Sequence, residues 1–558
     1  MSAWIKAVSA VVVALVALGA LAWGFRAELM LWAIERRTDR NLEVGPTREV
    51  PWSTGADPMS RAPSERPPNI VLIVADDLGL NDVSYTRLGS APPTVETPNI
   101  DALAAGGVVF ENGYAGNGTC APSRAALMAG RYATRFGFEF TPTPPGMMRT
   151  VAAMPSGAPR PLAPPGFWND DETELEFADM GLPRTERTLA ELLGERGYHT
   201  MHIGKWHLGR SAGFAPHERG FEESLLMESG LYGALDDESV IQARQDFDPI
   251  DRFLWASMRF AARFNGGDAF LPPKYLTDWY TDEAVAAIEA NRDRPFFLYL
   301  AHWAPHTPLQ ASAEDYAALE GVEPHRKRVY AAMIRSLDRG VGRVMEALRA
   351  QGLEENTLVL FTSDNGAAGY IGLPDVNDPL RGWKITLFEG GIHVPFLAHW
   401  PGRLPAGEVY REPVHHVDLW ATALAAGGGE PPGDRTIDGI DLVPYVTGER
   451  GGAPHEYLFF RSGAAGSVRS GRWKLNVSAP PEGPRQEWLF DLDADPSESR
   501  DLLAEEPEVA ARLRAAFAAH EAEQAEPLWP WTITRPINVD RDQSQPDQPG
   551  DEFAYWSN

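Results

Sequence analysis

The chain has 558 residues, 44% apolar and 10% aromatic, enough for a large core and too apolar for wholesale disorder. Its 78 acidic residues against 50 basic ones give a formal charge of −28, which argues against nucleic acid as a partner and means that any anion site must gather positive charge locally. The single cysteine, Cys120, rules out an intramolecular disulfide.

From Ala7 to Phe25 no residue is charged. As a helix this run would span about 28 Å, so residues 1–40 are expected to be an N-terminal membrane anchor or signal segment. Export to a periplasmic or extracellular location follows, with the segment retained as an anchor, although Arg26, Arg36, Arg37 and Arg40 after the span favour the opposite topology. Residues 41–68 are rich in Pro, Arg and Ser and read as a linker. Asn69–Ala75, NIVLIVA, is a continuous apolar run expected to be a strand buried on both faces. It ends in Asp76-Asp77, two carboxylates that are costly to hold together without a cation and that alone would read equally as a helix cap.

Gly118–Arg131, GTCAPSRAALMAGR, places Cys120 two residues before Pro122, which fits the first turn of a helix, and ahead of a run of good helix formers stopped by Gly130. Cys120 would then stand at a helix N-terminus among free backbone N–H groups, with Arg124 able to fold back over the same end: a place to hold an anion. Thr141–Pro183 is expected to be an insertion over the site. Thr188–Arg196 reads as a helix and Tyr198–Ile203 as a strand delivering Lys205 and His207, which point to one side if the extended conformation persists. Glu222–Pro273 carries no strong motif and is expected to be a second, partly helical insertion. Helix Asp278–Ala290 precedes strand Phe296–Ala301, after which His306 sits between two prolines. Thr357–Thr362 is a further strand closed by Ser363-Asp364-Asn365-Gly366. Asp364 and Asn365 add two hard oxygen ligands to Asp76 and Asp77, and such a set suits Ca²⁺ or Mg²⁺ better than zinc. Lys384 lies in a Gly-flanked loop before Glu389-Gly390-Gly391. Beyond about Ala453 the pattern changes to short alternating strands with a helix at Glu505–Glu523.

The cysteine run resembles the signature of the type I sulfatases, C-x-P-S-R-x-x-x-L-T-G-R, with Met128-Ala129 in place of Leu-Thr. NIVLIVADDLG, GKWHLG, APHTP, SDNG, K-x-x-x-x-EGG-x-x-VP and LFDLDADPSESRDL also fall in that family's order, from Asn69 to about Leu502. The resemblance implies an α/β fold of the alkaline-phosphatase superfamily: a large doubly wound mixed sheet flanked by helices, with a smaller C-terminal antiparallel α+β unit. Residues 69–452 would form the catalytic domain, 453–527 the C-terminal subdomain and 528–558 a Pro/Asp-rich tail, as strap or loose end.

It implies the chemistry too. Cys120 would be oxidised to Cα-formylglycine by a formylglycine-generating enzyme that reads C-x-P-x-R. Asp76, Asp77, Asp364 and Asn365 would hold one divalent metal, Ca²⁺ before Mg²⁺. Arg124 would brace the hydrated aldehyde, and Lys205 and Lys384 would bind sulfate oxygens. His207 would take a proton from the second hydroxyl and His306 would assist the leaving oxygen. The expected activity is hydrolysis of a sulfate monoester, arylsulfatase-like, on a small-molecule or saccharide substrate. The alternatives are a phosphonate monoester or phosphodiester hydrolase on the same scaffold, or an unmodified, inactive membrane-tethered binding protein. His393 departs from the family pattern, where Arg is common.

Overall fold

Strand β1, Asn69–Ala75, is buried along its whole length because its two faces feed two cores: Val71, Ile73 and Ala75 enter one, Ile70, Leu72 and Val74 the other. In this computed structural model, which describes residues 4–5, 9, 25–62, 65–86, 95–144, 146–154, 162–169 and 175–558, β1 lies within a ten-stranded sheet. The other strands are β2 (Val108–Phe110), β3 (His199–Gly204), β4 (Glu223–Gly230), β5 (Phe260–Phe264), β6 (Ala269–Phe270), β7 (Phe296–Ala301), β8 (Thr357–Ser363), β9 (Phe396–His399) and β10 (Glu408–Tyr410). Their order is β10-β2-β9-β8-β1-β7-β3-β4-β5-β6. Strands β8, β1, β7, β3 and β4 run parallel, while β9 and β5 turn antiparallel on the two flanks.

Helices cover both faces. Pro98–Gly106, Leu276–Ala290 and His325–Ala350 close the first core; Cys120–Ala129, Leu189–Glu195 and His416–Ala426 close the second. The register pairs Ala75 with Ser363 and Ala301 with Gly204. The segments that follow β8, β1, β7 and β3 therefore emerge side by side at the carboxyl edge of the sheet, where open α/β sheets place ligands. A separate antiparallel sheet, β11 (Leu458–Ser462), β12 (Ala465–Ser470), β13 (Trp473–Ser478) and β14 (Gln486–Asp491), packs on helix Pro507–Glu521 through Val468, Leu475, Leu513 and Phe517.

Four expectations change. The linker is not free: Gly45 N–H donates to Ala269 O, Trp52 Nε1 donates to Glu283 and Ser53 Oγ to Glu223, so residues 45–57 are laid along the body. The region after Glu222 supplies β4, β5 and β6 to the main sheet, with one helix, Pro249–Ser257, among them. The tail forms strands β15 (Ile533–Asn538) and β16 (Phe553–Ser557), whose β-branched and aromatic residues are diluted in the sequence by the Pro/Asp-rich loop between them. The described part of the Thr141–Pro183 insertion gives helix Met147–Ala153 and a short strand, Phe167–Trp168, paired with β15. The apolar run Ala7–Phe25 lies almost wholly outside the described residues; among the described residues no helix is long and apolar enough to cross a membrane.

Candidate active site

Helix Cys120–Ala129 begins at the expected residue, with Thr119 extended ahead of it and Pro122 in the first turn, where no N–H is missed. Every residue of the helix is buried. Gly130 ends it at φ 68°, where a Cβ would lie 2.4 Å from the Trp420 ring. The helix is thus pinned at both ends, with its N-terminus aimed at the edge of the sheet. There the Cys120 Sγ lies 3.7 Å from Asp76 Oδ1 and 3.8 Å from Asp77 Oδ1.

Arg124, fully buried, donates from Nη2 to Asp76 Oδ2 at 2.9 Å and from Nε to Asp364 Oδ2 at 2.8 Å, clamping the ends of β1 and β8 together. Its Nη1 donates to Tyr299 Oη at 3.2 Å and to the Lys205 carbonyl at 3.3 Å. The Lys205 ammonium reaches Asp76 Oδ2 at 2.7 Å, and Lys384 Nζ reaches Asp77 Oδ1 at 2.7 Å. Lys384 is brought there by a loop whose backbone donates from Lys384 N to Ala367 O and from Ile385 N to Gly118 O. Arg124, Lys205 and Lys384 thus bring three cations into one cluster of a protein whose net charge is −28.

Asn365 Nδ2 donates to Asp77 Oδ1 at 2.7 Å, while its Oδ1 is buried and without a hydrogen-bond partner among the described residues. Ligand atoms of Asp76, Asp77, Cys120 and His306 all lie within 4.8 Å of one another. An orphaned carbonyl oxygen beside three clustered carboxylates is a donor set that fits a hard divalent cation. Without one, burial first and then the charge of Asp364 push the Asp76 carboxyl up to about 7. At Asp364 burial acts the same way but is outweighed by Arg124, Lys205 and Lys384, which hold that carboxyl below its usual range. Burial, then Asp364, also push the Cys120 thiol well up, so an unaltered Cys120 would remain a protonated, poorly nucleophilic thiol at neutral pH.

His306 stacks on Trp303 with ring centroids 3.8 Å apart and receives a hydrogen bond from Lys384 Nζ to Nε2 at 3.2 Å, its Nδ1 engaging Thr307 O. Burial and then Lys384 and Lys205 hold the imidazole well below its ordinary value, so it is neutral. The extended conformation that would put Lys205 and His207 on one side does not persist past β3: Gly204 turns at φ 108°, with a Cβ there only 1.9 Å from Ala301 O, and His207 adopts φ 65°. His207 is half-buried, its Nδ1 without a hydrogen-bond partner among the described residues, and burial with Lys205 and Arg124 depresses it too. All ten residues singled out in the sequence therefore converge on one edge. Missed there were Tyr299, Tyr370, which donates to Asp77 Oδ2 at 3.3 Å, and Trp303, whose ring lies 4.6 Å below Lys205 Nζ. Trp303 stands immediately before the APHTP motif, whereas nothing in the sequence marks the two tyrosines. His393 is elsewhere, its Nε2 donating to Glu111 O at 2.8 Å and its ring stacked on Tyr114.

Fold and site together define an α/β protein in which a helix N-terminus, paired carboxylates and two lysines meet at the carboxyl edge of a mixed sheet. The chain matches the family profile described as Sulfatase over residues 68–429. It is 34% identical to N-acetylgalactosamine-6-sulfatase of Mus musculus, covering 75% of this chain and 73% of that one, and 32% identical to steryl-sulfatase of Mus musculus over 84% of each. The crystal structure of Ps i-CgsB in complex with k-i-k-neocarrahexaose superimposes with a TM-score of 0.66 at 30% identity, covering 83% of this chain and 95% of that chain. The chain belongs to the sulfatase family, as a type I sulfatase of the alkaline-phosphatase superfamily, and is a sulfuric ester hydrolase.

Proposed function

We propose that the chain hydrolyses a sulfate monoester, arylsulfatase-like, through a formylglycine made from Cys120 by a formylglycine-generating enzyme. Asp76, Asp77, Asp364 and Asn365 would hold one divalent cation, Ca²⁺ before Mg²⁺. The observation that carries this reading is the placement of Cys120 at a buried helix N-terminus, 3.7 Å and 3.8 Å from Asp76 and Asp77, next to the unpaired Asn365 Oδ1.

A cation bound there supplies Lewis-acid polarisation of sulfate oxygens. A hydrated aldehyde at position 120 supplies two hydroxyls, one to attack sulfur and one whose deprotonation releases sulfate. The chain's own residues do the rest. Lys205 and Lys384 would stabilise negative charge on the sulfate oxygens as the ester bond breaks. Arg124 fixes the two strand ends around position 120. His207, neutral and with a free ring nitrogen, is suited to take the proton of the second hydroxyl. His306 accepts from Lys384 at Nε2, so the proton for the departing oxygen is held by the Lys384–His306 pair.

We assign catalysis to residues 69–452, and we infer export with the apolar N-terminal segment as membrane tether. The N-acetylgalactosamine-6-sulfatase relatives and the neocarrahexaose-bound neighbour support a saccharide sulfate ester within the expected small-molecule or saccharide class. The test is turnover of aryl sulfate against aryl phosphonate and phosphodiester by the purified chain, before and after chelation and reloading with Ca²⁺ or Mg²⁺. Sulfate should be preferred and Ca²⁺ should restore the activity best. Preference for the phosphonate would favour the other hydrolase, and an intact thiol with no turnover would favour the binding protein.

A further inference from the structure

Helix Arg26–Asn41 has two distinct faces. Ala27 and Leu31 turn inward and pack with Val151, Met154, Ile250 and Phe253. On its flank, Glu28 and Asp39 are neutralised by arginines of the body: Arg252 lies 3.6 Å from Glu28 and Arg259 2.6 Å from Asp39, and Arg259 also donates to Glu35 O. The helix is therefore fixed to the catalytic unit through two of its three acids, while the Glu35 side chain stays exposed.

The outward face reads Phe25, Leu29, Trp32, Arg36, Arg40, residues spaced by four, three, four and four, which is one stripe of an α-helix. Leu29 N–H donates to Phe25 O, so Phe25 is in helical register. Phe25, Leu29 and Trp32 are 57%, 50% and 57% exposed, an apolar stripe left open on the surface. Arg36 lies over the Trp32 ring, and among the described residues Arg36 and Arg40 engage no carboxylate. The apolar half of the stripe is the half nearest Ala7–Phe25, the charge-free run that leads directly into the helix.

We propose that this face lies in the headgroup layer of an anionic phospholipid bilayer, with Phe25, Leu29 and Trp32 at the acyl boundary and Arg36 and Arg40 among the phosphates. The inference rests on the reading of the preceding segment as a membrane tether, and it adds a second contact that sets how the catalytic unit stands on the membrane. The chemistry is selective: a protein of net charge −28 is repelled by an anionic surface everywhere except where such a local apolar and cationic patch meets it. One helix separates the dock from the site: Pro249–Ser257, on which it packs, carries Asp251, and Asp251 Oδ1 accepts from Thr307 Oγ1 next to His306.

The test uses the full chain with Leu29→Cys labelled by an environment-sensitive fluorophore, in vesicles of phosphatidylethanolamine and phosphatidylglycerol. Cys120 is buried and does not compete for the label. Glu346→Cys, on helix His325–Ala350, serves as the exposed control. The label at position 29 should shift to the blue and lose most of its emission when the lipids carry brominated acyl chains; the label at 346 should do neither. Arg36→Gln with Arg40→Gln should reduce that quenching while the chain still floats with the vesicles. An unquenched label at 29 in a chain that floats overturns the dock and leaves the tether standing. A blue shift without bromolipid quenching that grows with protein concentration also overturns it, since a second copy then covers the face. A chain that does not float at all removes the tether and the dock with it.

Discussion

Asp76 and Asp77 can share the end of one strand because each has an ammonium on it, Lys205 at 2.7 Å and Lys384 at 2.7 Å. The backbone is strained at the same place: Asp77, His207 and Ile385 have φ of 62°, 65° and 73°, and for a β-branched residue such as Ile385 this is a true outlier. Strain of this kind persists where packing over-determines the geometry, and here it falls at or beside residues of the candidate site. Lys384→Ala should lower kcat on an aryl sulfate by about 10²- to 10³-fold, the usual cost of removing a preorganised charge-stabilising donor; KM alone should not absorb the loss. A second residue-scale prediction concerns His302, one residue past β7, fully buried, with both ring nitrogens unpaired among the described residues and its imidazole lowered to about 4 by burial. The unfolded chain takes up this proton near pH 6.5 and the folded chain only near 4, so stability is lost as pH falls between those values. Between pH 7 and 5 the parent should lose about 2 kcal/mol that His302→Leu does not, so its Tm should fall more steeply.

At the scale of elements, the helix Cys120–Ala129 is held between the sheet edge and the Trp420 ring, and its end at Gly130 is the tightest point. Gly130→Val puts a branched side chain both into a left-handed backbone and against that ring, and should cost about 2 to 4 kcal/mol, read as a drop in Tm. This helix was legible in the sequence because capping, propensity and stop signal agree, as were β1, β7 and β8, whose apolar runs are too short for helices and end in acids or histidines. The convergence of Asp76 with Asp364 was legible only through the rule that ligands gather at strand ends. What the sequence hid has physical causes. Lys205 and His207 share a side only if the strand continues extended, and the turn at Gly204, packed against Ala301 O, is set by tertiary contact that the local pattern does not encode. Strands β4 to β6 lie towards the sheet's edge, where burial is partial and the alternation blurred. Strands β15 and β16 are separated by a loop of Asp, Gln and Pro that dominates the composition. Tyr299 and Tyr370 reach the site by tertiary packing, which no local pattern encodes.

Over the whole molecule, the C-terminal sheet is not an appendage. Lys474, on β13 and fully buried, lies 2.7 Å from Glu389 Oε1 and 3.0 Å from Glu498 Oε1, and Glu389 follows directly on the loop that carries Lys384. Tyr114 Oη donates to Glu389 Oε2 at 2.7 Å, and Glu389 N donates to Glu498 at 2.6 Å, so one buried polar cluster joins the sheet edge, the lysine loop and the C-terminal unit. Lys474→Met would leave two buried carboxylates facing each other and should cost about 3 to 5 kcal/mol, lowering Tm. It should also lower activity at temperatures where the variant is still folded, if the Lys384 loop is held from this side.

The proposed mechanism turns on the state of position 120, which peptide mass spectrometry across Thr119–Arg124 of active protein reads directly. An aldehyde or its hydrate is expected in place of the thiol, in a fraction of molecules that rises with specific activity. An intact Cys120 thiol throughout a preparation that turns over an aryl sulfate would contradict that mechanism.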